Sequence, residues 1–264
     1  MCHSIIGIVS PEFQLLNNIV GQGKMMAKKF TRCRCVHCLE EFDSLTSDHV
    51  FPDSWYPETT PENLEKWQMP ACTKCNTVHG RMENDLLLRF GLCVDPDDPN
   101  SLGIVQKALR SVDPTYAKKE KDREHRLKRR HKIMKGLIFT DDIPKESIFP
   151  NFGRHDGHPT EDQPGILIAQ SDLIMLGEKL VRGVTYVVDG RYIEKDHDVE
   201  VFFLRDEAAA PIVAVLQKHG TKYERGPGIK VTRVVPHDML TSALFAIEIW
   251  GKLRMYASVQ PSSE

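Results

Sequence analysis

The sequence predicts an α+β protein in three parts. A small cysteine-braced N-terminal unit comes first, then a basic helical segment, then a small C-terminal antiparallel α+β domain. Three observations carry that reading. Two Cys-x-x-Cys pairs, Cys35/Cys38 and Cys72/Cys75, frame two strand-like stretches and lead into a helical pattern. Residues 118–135 hold ten lysines and arginines against three acids, a local charge of +7. Beyond residue 165, two helical patterns are interleaved with short apolar, β-branched runs.

The composition permits this without disulfides. The chain has 264 residues, 41% hydrophobic and 27% charged, which is ordinary for a protein with a folded core. The net charge of −2 names no partner by itself. Long uninterrupted apolar runs are absent from the sequence, so no transmembrane helix and no membrane partner are expected. The opening "MCHSIIGIVSPEF" has no Lys or Arg before its apolar run, which argues against a secretory signal. Met25, in "MMAKKF", reads as a second start site, which would make residues 1–25 a poorly ordered extension. Seven cysteines, an odd number, point to a reducing compartment, and the expected location is the cytoplasm.

Four segments follow: an N-terminal extension (1–31), the cysteine unit (32–92), a linker with the basic helix (93–164), and the α+β domain (165–264). Pro-, Gly- and Asp-rich spacers lie at 95–103 and 149–165. In the first unit, "SLTSDHVF" and "KWQMPAC" read as short strands. "TKCNTVHGRMENDLLLRFGL" reads as a helix, with Thr73 as its cap, Val78, Met82, Leu86 and Phe90 as its apolar row, and Gly91 at its end. Gly80 inside it is a mild cost. In the last unit, "SDLIMLGEKLV" reads as a helix and "TYVVDGRYIE" as a hairpin turning at Asp189-Gly190. "VEVFFL" reads as a strand, "DEAAAPIVAVLQKHG" as a helix, and "IKVTRVV", "LFAIEIW" and "LRMYASV" as strands.

The spacing of Cys35, Cys38, Cys72 and Cys75 suits a tetrahedral structural zinc site, in which all four positions are filled by thiolates. Cys33 is an alternative to Cys35, although the two-residue gap favours Cys35 with Cys38. A thioredoxin-like redox role fits less well, since neither pair follows a βαβ pattern. Pinning the first knuckle to the start of the helix would hold a hairpin against that helix. Asp48 and His49 then lie on the strand, with Asn76 and His79 on the helix.

The ordered set "CVHC", "TSDHVFPDSW", "PENL" and "PACTKCNTVHG" resembles the HNH endonuclease family over about residues 33–92. The resemblance implies a ββα-metal unit that hydrolyses DNA phosphodiester bonds. His49 would be the general base, and Asp48 and Asn76 would hold one magnesium or manganese ion. The chemistry suits those residue types: a neutral imidazole is a base near pH 7, and a hard cation on oxygen ligands offsets charge at a phosphate. Two departures stand out. The central Asn of the family falls at Asn63, too far from Cys72, and Gln68 competes to orient His49. His79 stands where relatives carry Lys, and reads either as a phosphate or metal contact or as a solvated helix residue. Glu83 lies on the same side, in a supporting position.

The basic run suits contact with a DNA backbone, with Lys128, Arg129, Arg130 and Lys132 as candidates, and a solvated helix is the plain alternative. The C-terminal unit carries no readable motif. Target choice, homodimerisation and binding of a regulator all remain open for it. The competing reading of the whole chain is a zinc-stabilised nucleic-acid-binding module that does not cut.

Overall fold

The computed structural model describes residues 4–8, 30–139 and 163–262. Cys2, the Met25 start and most of the 149–165 spacer lie outside the described residues. The expected mixture of helices and sheets is present. Strands β1 (Ser4–Ile8), β2 (Phe30–Arg34), β3 (Glu41–His49) and β4 (Gln68–Ala71) precede helices α1 (Thr73–Gly91), α2 (Ile104–Arg110) and α3 (Glu120–Lys135). There follow β5 (Leu137–Ile138), β6 (Gly165–Ala169), α4 (Gln170–Asp189), β7 (His197–Phe202) and α5 (Asp206–His219). Strands β8 (Thr221–Glu224), β9 (Lys230–Val234), β10 (Ala243–Ile249) and β11 (Leu253–Pro261) close the chain.

The strands form three antiparallel sheets, ordered β2-β3-β4, β1-β6-β5 and β7-β11-β10-β9-β8. In the chain, β3 and β4 of the first sheet precede α1, and β2 adds a third strand to that sheet. Pro70, which has no N–H to donate, sits on the outer strand β4, where a sheet tolerates it. Residues 4–8, expected in a poorly ordered extension, instead form β1 paired to β6.

Two details of α1 differ from expectation. Its cap is Cys72, whose sulfur accepts from the Cys75 amide, rather than Thr73. Of the predicted apolar row, Met82, Leu86 and Phe90 are buried, but Val78 is exposed, because that turn lies beyond the edge of the core. Gly91 ends the helix as expected, and a carbon at its Cβ would lie 2.5 Å from Ala108 Cβ, so α2 packs directly on it.

The larger correction is α4. The stretch "TYVVD", read as half a hairpin, is the last turn of a 20-residue helix, and Gly190 is its left-handed cap with φ 66°. Asp-Gly serves a helix stop as well as a hairpin turn. The buried row Leu173, Leu176, Leu180 and Val184 carries the helix through its β-branched end. Gly183 lets α4 lie hard against the first sheet, since an added Cβ would fall 2.8 Å from Met69 Sδ and 2.9 Å from Val50 Cγ2.

The hydrophobic core is continuous from Val36 to Val259 and so spans both ends of the chain. Trp55 and Trp250 stack with centroids 5.1 Å apart, and the Trp250 indole donates to the Trp55 carbonyl at 2.8 Å. Cys93, Val94, Ile104, Val105 and Ala108 belong to the same core, so the first part of the stretch read as linker is packed structure. No helix among the described residues is long and apolar enough to cross a membrane.

Candidate functional site

The zinc-type cluster forms where the sequence places it. The sulfurs of Cys35, Cys38, Cys72 and Cys75 all lie within 4.8 Å of one another, and Cys38 Sγ is 4.0 Å from Cys72 Sγ. A tetrahedron with metal–sulfur bonds of about 2.3 Å has edges of roughly 3.8 Å, so the four thiols can hold a metal ion such as zinc. The backbone prepares the site. Leu39, in a left-handed conformation with φ 64°, turns the first knuckle, the Cys72 amide donates to Cys35 Sγ at 3.3 Å, and the Cys75 amide donates to Cys72 Sγ at 3.4 Å. Cys33 is not in the cluster and pairs across β2–β3 with Phe42.

The electrostatics call for a cation. Burial and the adjoining Cys72 sulfur push the Cys75 thiol far up. Burial also raises Cys38, and the neighbouring thiols add to it. Burial opposes ionisation of Cys72, but hydrogen bonds from Cys75 and from the other thiols prevail and lower it. Four crowded thiols cannot all ionise without a positive charge among them.

His49 ends β3, directly opposite Gln68 in the β3–β4 register. Its Nε2 lies 3.2 Å from Gln68 Nε2, so Gln68 is the side chain that holds the ring, while Asn63 is exposed in the preceding loop. Burial lowers the His49 pKa, and the nearby Asp53 and Asp48 carboxylates oppose that only in part. The ring is therefore neutral at pH 7. Beside it, Lys66 pairs with Asp53 at 2.6 Å and lies over the Tyr56 ring at 4.7 Å.

Asp48 lies elsewhere. Neighbouring strand residues alternate between faces, and Asp48 points to the face covered by α1 and α4. It is only 6% exposed. Its Oδ1 accepts from Lys179 Nζ at 2.9 Å, and its Oδ2 is 3.4 Å from His37 Nε2. Lys179, fully buried on α4, also pairs with Glu83 of α1. Burial alone would raise the Asp48 pKa, but the His37 hydrogen bond and the Lys179 ammonium hold it below the usual carboxylate range. Glu83 goes the other way, raised by burial. His79 joins the same cluster, its ring centroid 4.1 Å from that of His37. Burial and the neighbouring His37 and Lys179 push His79 down to about 4.

Asn76, half-buried at the start of α1, donates its Nδ2 to Thr46 Oγ1 at 3.1 Å. A divalent ion shared by Asp48 and Asn76 does not fit this arrangement. Both Asp48 oxygens are engaged, and the Asn76 amide is turned to a hydroxyl on the strand.

Of the basic candidates, Lys128, Arg130 and Lys132 are exposed on α3. Arg129 donates to the Asn84 carbonyl at 2.9 Å and so pins α3 to α1. Sequence reasoning missed Lys179 and His37. A signal existed for each: Lys179 falls three residues after Leu176 on the apolar stripe of α4, and His37 lies inside the first knuckle.

Compared with protein-family models, with curated proteins and with solved structures, the chain matches none.

Proposed function

We propose that the chain is a DNA-directed endonuclease of the HNH kind, braced by zinc at Cys35, Cys38, Cys72 and Cys75. The observation that carries this reading is the His49–Gln68 pair at the mouth of the hairpin. As placed, the Gln68 Nε2–H donates to the His49 Nε2 lone pair; a half-turn of the Gln68 amide brings its oxygen to the ring instead, and the His49 Nε2–H then donates to it. Nδ1 then keeps its lone pair. A neutral imidazole held in one tautomer can take a proton from a water attacking phosphorus in line. The exposed Lys128, Arg130 and Lys132 would hold the DNA backbone without reading its sequence.

The test is nicking of supercoiled plasmid by the zinc-loaded protein over a series of divalent ions. His49→Ala is expected to abolish nicking while the zinc content and the circular dichroism stay as in the parent. Equal cutting by the two proteins would overturn the assignment of His49.

One observation favours a second reading, a zinc-stabilised nucleic-acid-binding module that does not cut. The carboxylate that the resemblance assigns to a cation is already neutralised by Lys179. DNA binding that persists without cleavage in any divalent ion would decide for it.

A further inference from the structure

We propose that Lys179 is the resident cation of the Asp48 site, so that a divalent ion reaches Asp48 only by displacing it. The inference rests on the reading of Asp48 as a cation-binding carboxylate, and it adds a residue from the C-terminal part of the chain to that site. Three facts carry it. The Lys179 ammonium is fully buried and meets two carboxylates from two elements, Asp48 on β3 and Glu83 on α1. The other Asp48 oxygen faces His37 at 3.4 Å, so both oxygens of that carboxylate already have a nitrogen neighbour. And α4 is seated against the strands that carry Asp48 and Met69 through Gly183, where no side chain fits, so Lys179 is delivered by packed backbone rather than by a loose tail.

A lysine there could serve a phosphate instead. Burial decides against that, because an ammonium with no exposed surface cannot meet a polymer phosphate. What it can do is what a bound metal does for its ligands: neutralise a buried carboxylate. A divalent ion on that carboxylate would lie close to the Lys179 ammonium, and their repulsion in a buried site would weaken its binding. Nδ1 of His79 is buried beside this cluster without a hydrogen-bond partner. Once Lys179 is gone, the two carboxylates that its ammonium holds together, Asp48 and Glu83, face the space it leaves. An ion bound in this way would be held from β3 and α1 together, with no need of Asn76. The chemistry of that donor set, two carboxylates completed by water, suits manganese.

The experiment is a manganese titration of the zinc-loaded full-length chain, read by the electron paramagnetic resonance signal of free Mn²⁺. It contains no nucleic acid, so its outcome is independent of whether the chain cuts DNA. Lys179→Met keeps the length of the side chain and removes the charge. It is expected to bind Mn²⁺ on the order of ten-fold or more tighter than the parent, and Lys179→Met with Asp48→Asn is expected to lose the gain. Equal affinity of parent and Lys179→Met would overturn the proposal. Should Lys179→Met fail to fold, the parent and Asp48→Asn give the answer. Indistinguishable titrations support a carboxylate closed by Lys179. Tighter binding by the parent shows that Asp48 holds the ion with Lys179 in place, and the proposal fails.

Discussion

His79 shows at the scale of one residue how burial turns into a measurable property. Its pKa is pushed to about 4, far below the ordinary histidine range. As pH falls through the ordinary value of about 6.5, the unfolded chain takes up the proton first. His79 therefore costs stability progressively between about pH 6.5 and about pH 4, and its contribution is level below that. Urea unfolding of zinc-loaded parent and His79→Gln at about pH 7 and about pH 5 checks this. The parent should lose more stability on acidification than the variant, and equal losses would contradict the assignment. The identities of Asp48, His49 and the four cysteines were legible in the sequence, because their spacing is local. Their partners were not. Lys179 lies 131 residues from Asp48, and only the packing of α4 brings them together. The choice between Gln68 and Asn63 was open for the same kind of reason: β3–β4 register sets Gln68 opposite His49, and register is a property of the sheet.

At the scale of elements, most strands and helices were readable from periodicity, and the failures share a cause. The end of α4 looked like a strand and a turn because Thr, Val and Tyr favour strands and Asp-Gly favours hairpins. Burial of Val184 and the adjacent turn against the core outweighs those preferences. The cap of α1 was misassigned because a cysteine is an unusual cap, and here the knuckle geometry supplies it. Helix α3 is mostly solvent-exposed and is tied down by buried Ile133, by Arg126, which donates to the Arg110 carbonyl at the end of α2, and by Arg129. If it meets DNA, its exposed and its pinned residues must behave differently. Replacing Lys128, Arg130 and Lys132 together by Ala should weaken binding to all sequences alike. It should also make the dependence of log affinity on log salt shallower by about 2–3 units, read by fluorescence anisotropy. Arg129→Ala should instead lower stability, since it removes a contact between α3 and α1. An unchanged salt slope in the triple variant would place the DNA contacts elsewhere.

At the scale of the whole molecule, the sequence suggested separable units, and the structure joins them through one core. Val36 from the first knuckle and Val50 just past β3, Leu86 and Phe90 from α1, Leu180 and Val184 from α4 and Phe245 and Ile247 from β10 belong to one cluster. Trp55 on Trp250 and Arg34 on Glu194 fasten the two ends. No local pattern announces such contacts, because each residue reads as core in its own segment. The cysteine cluster sits beside this core with Leu45 and Ala71 rather than within it. A metal there would lock the knuckle to α1 and so fix the hairpin that carries Asp48 and His49. The most direct test is the zinc content of the purified chain by mass spectrometry, measured on the parent, Cys72→Ser and Cys33→Ala. One zinc per chain is expected in the parent and in Cys33→Ala, with loss of the ion and of the ordered first sheet in Cys72→Ser. A parent that folds without a bound metal, or a zinc that depends on Cys33, would contradict the account.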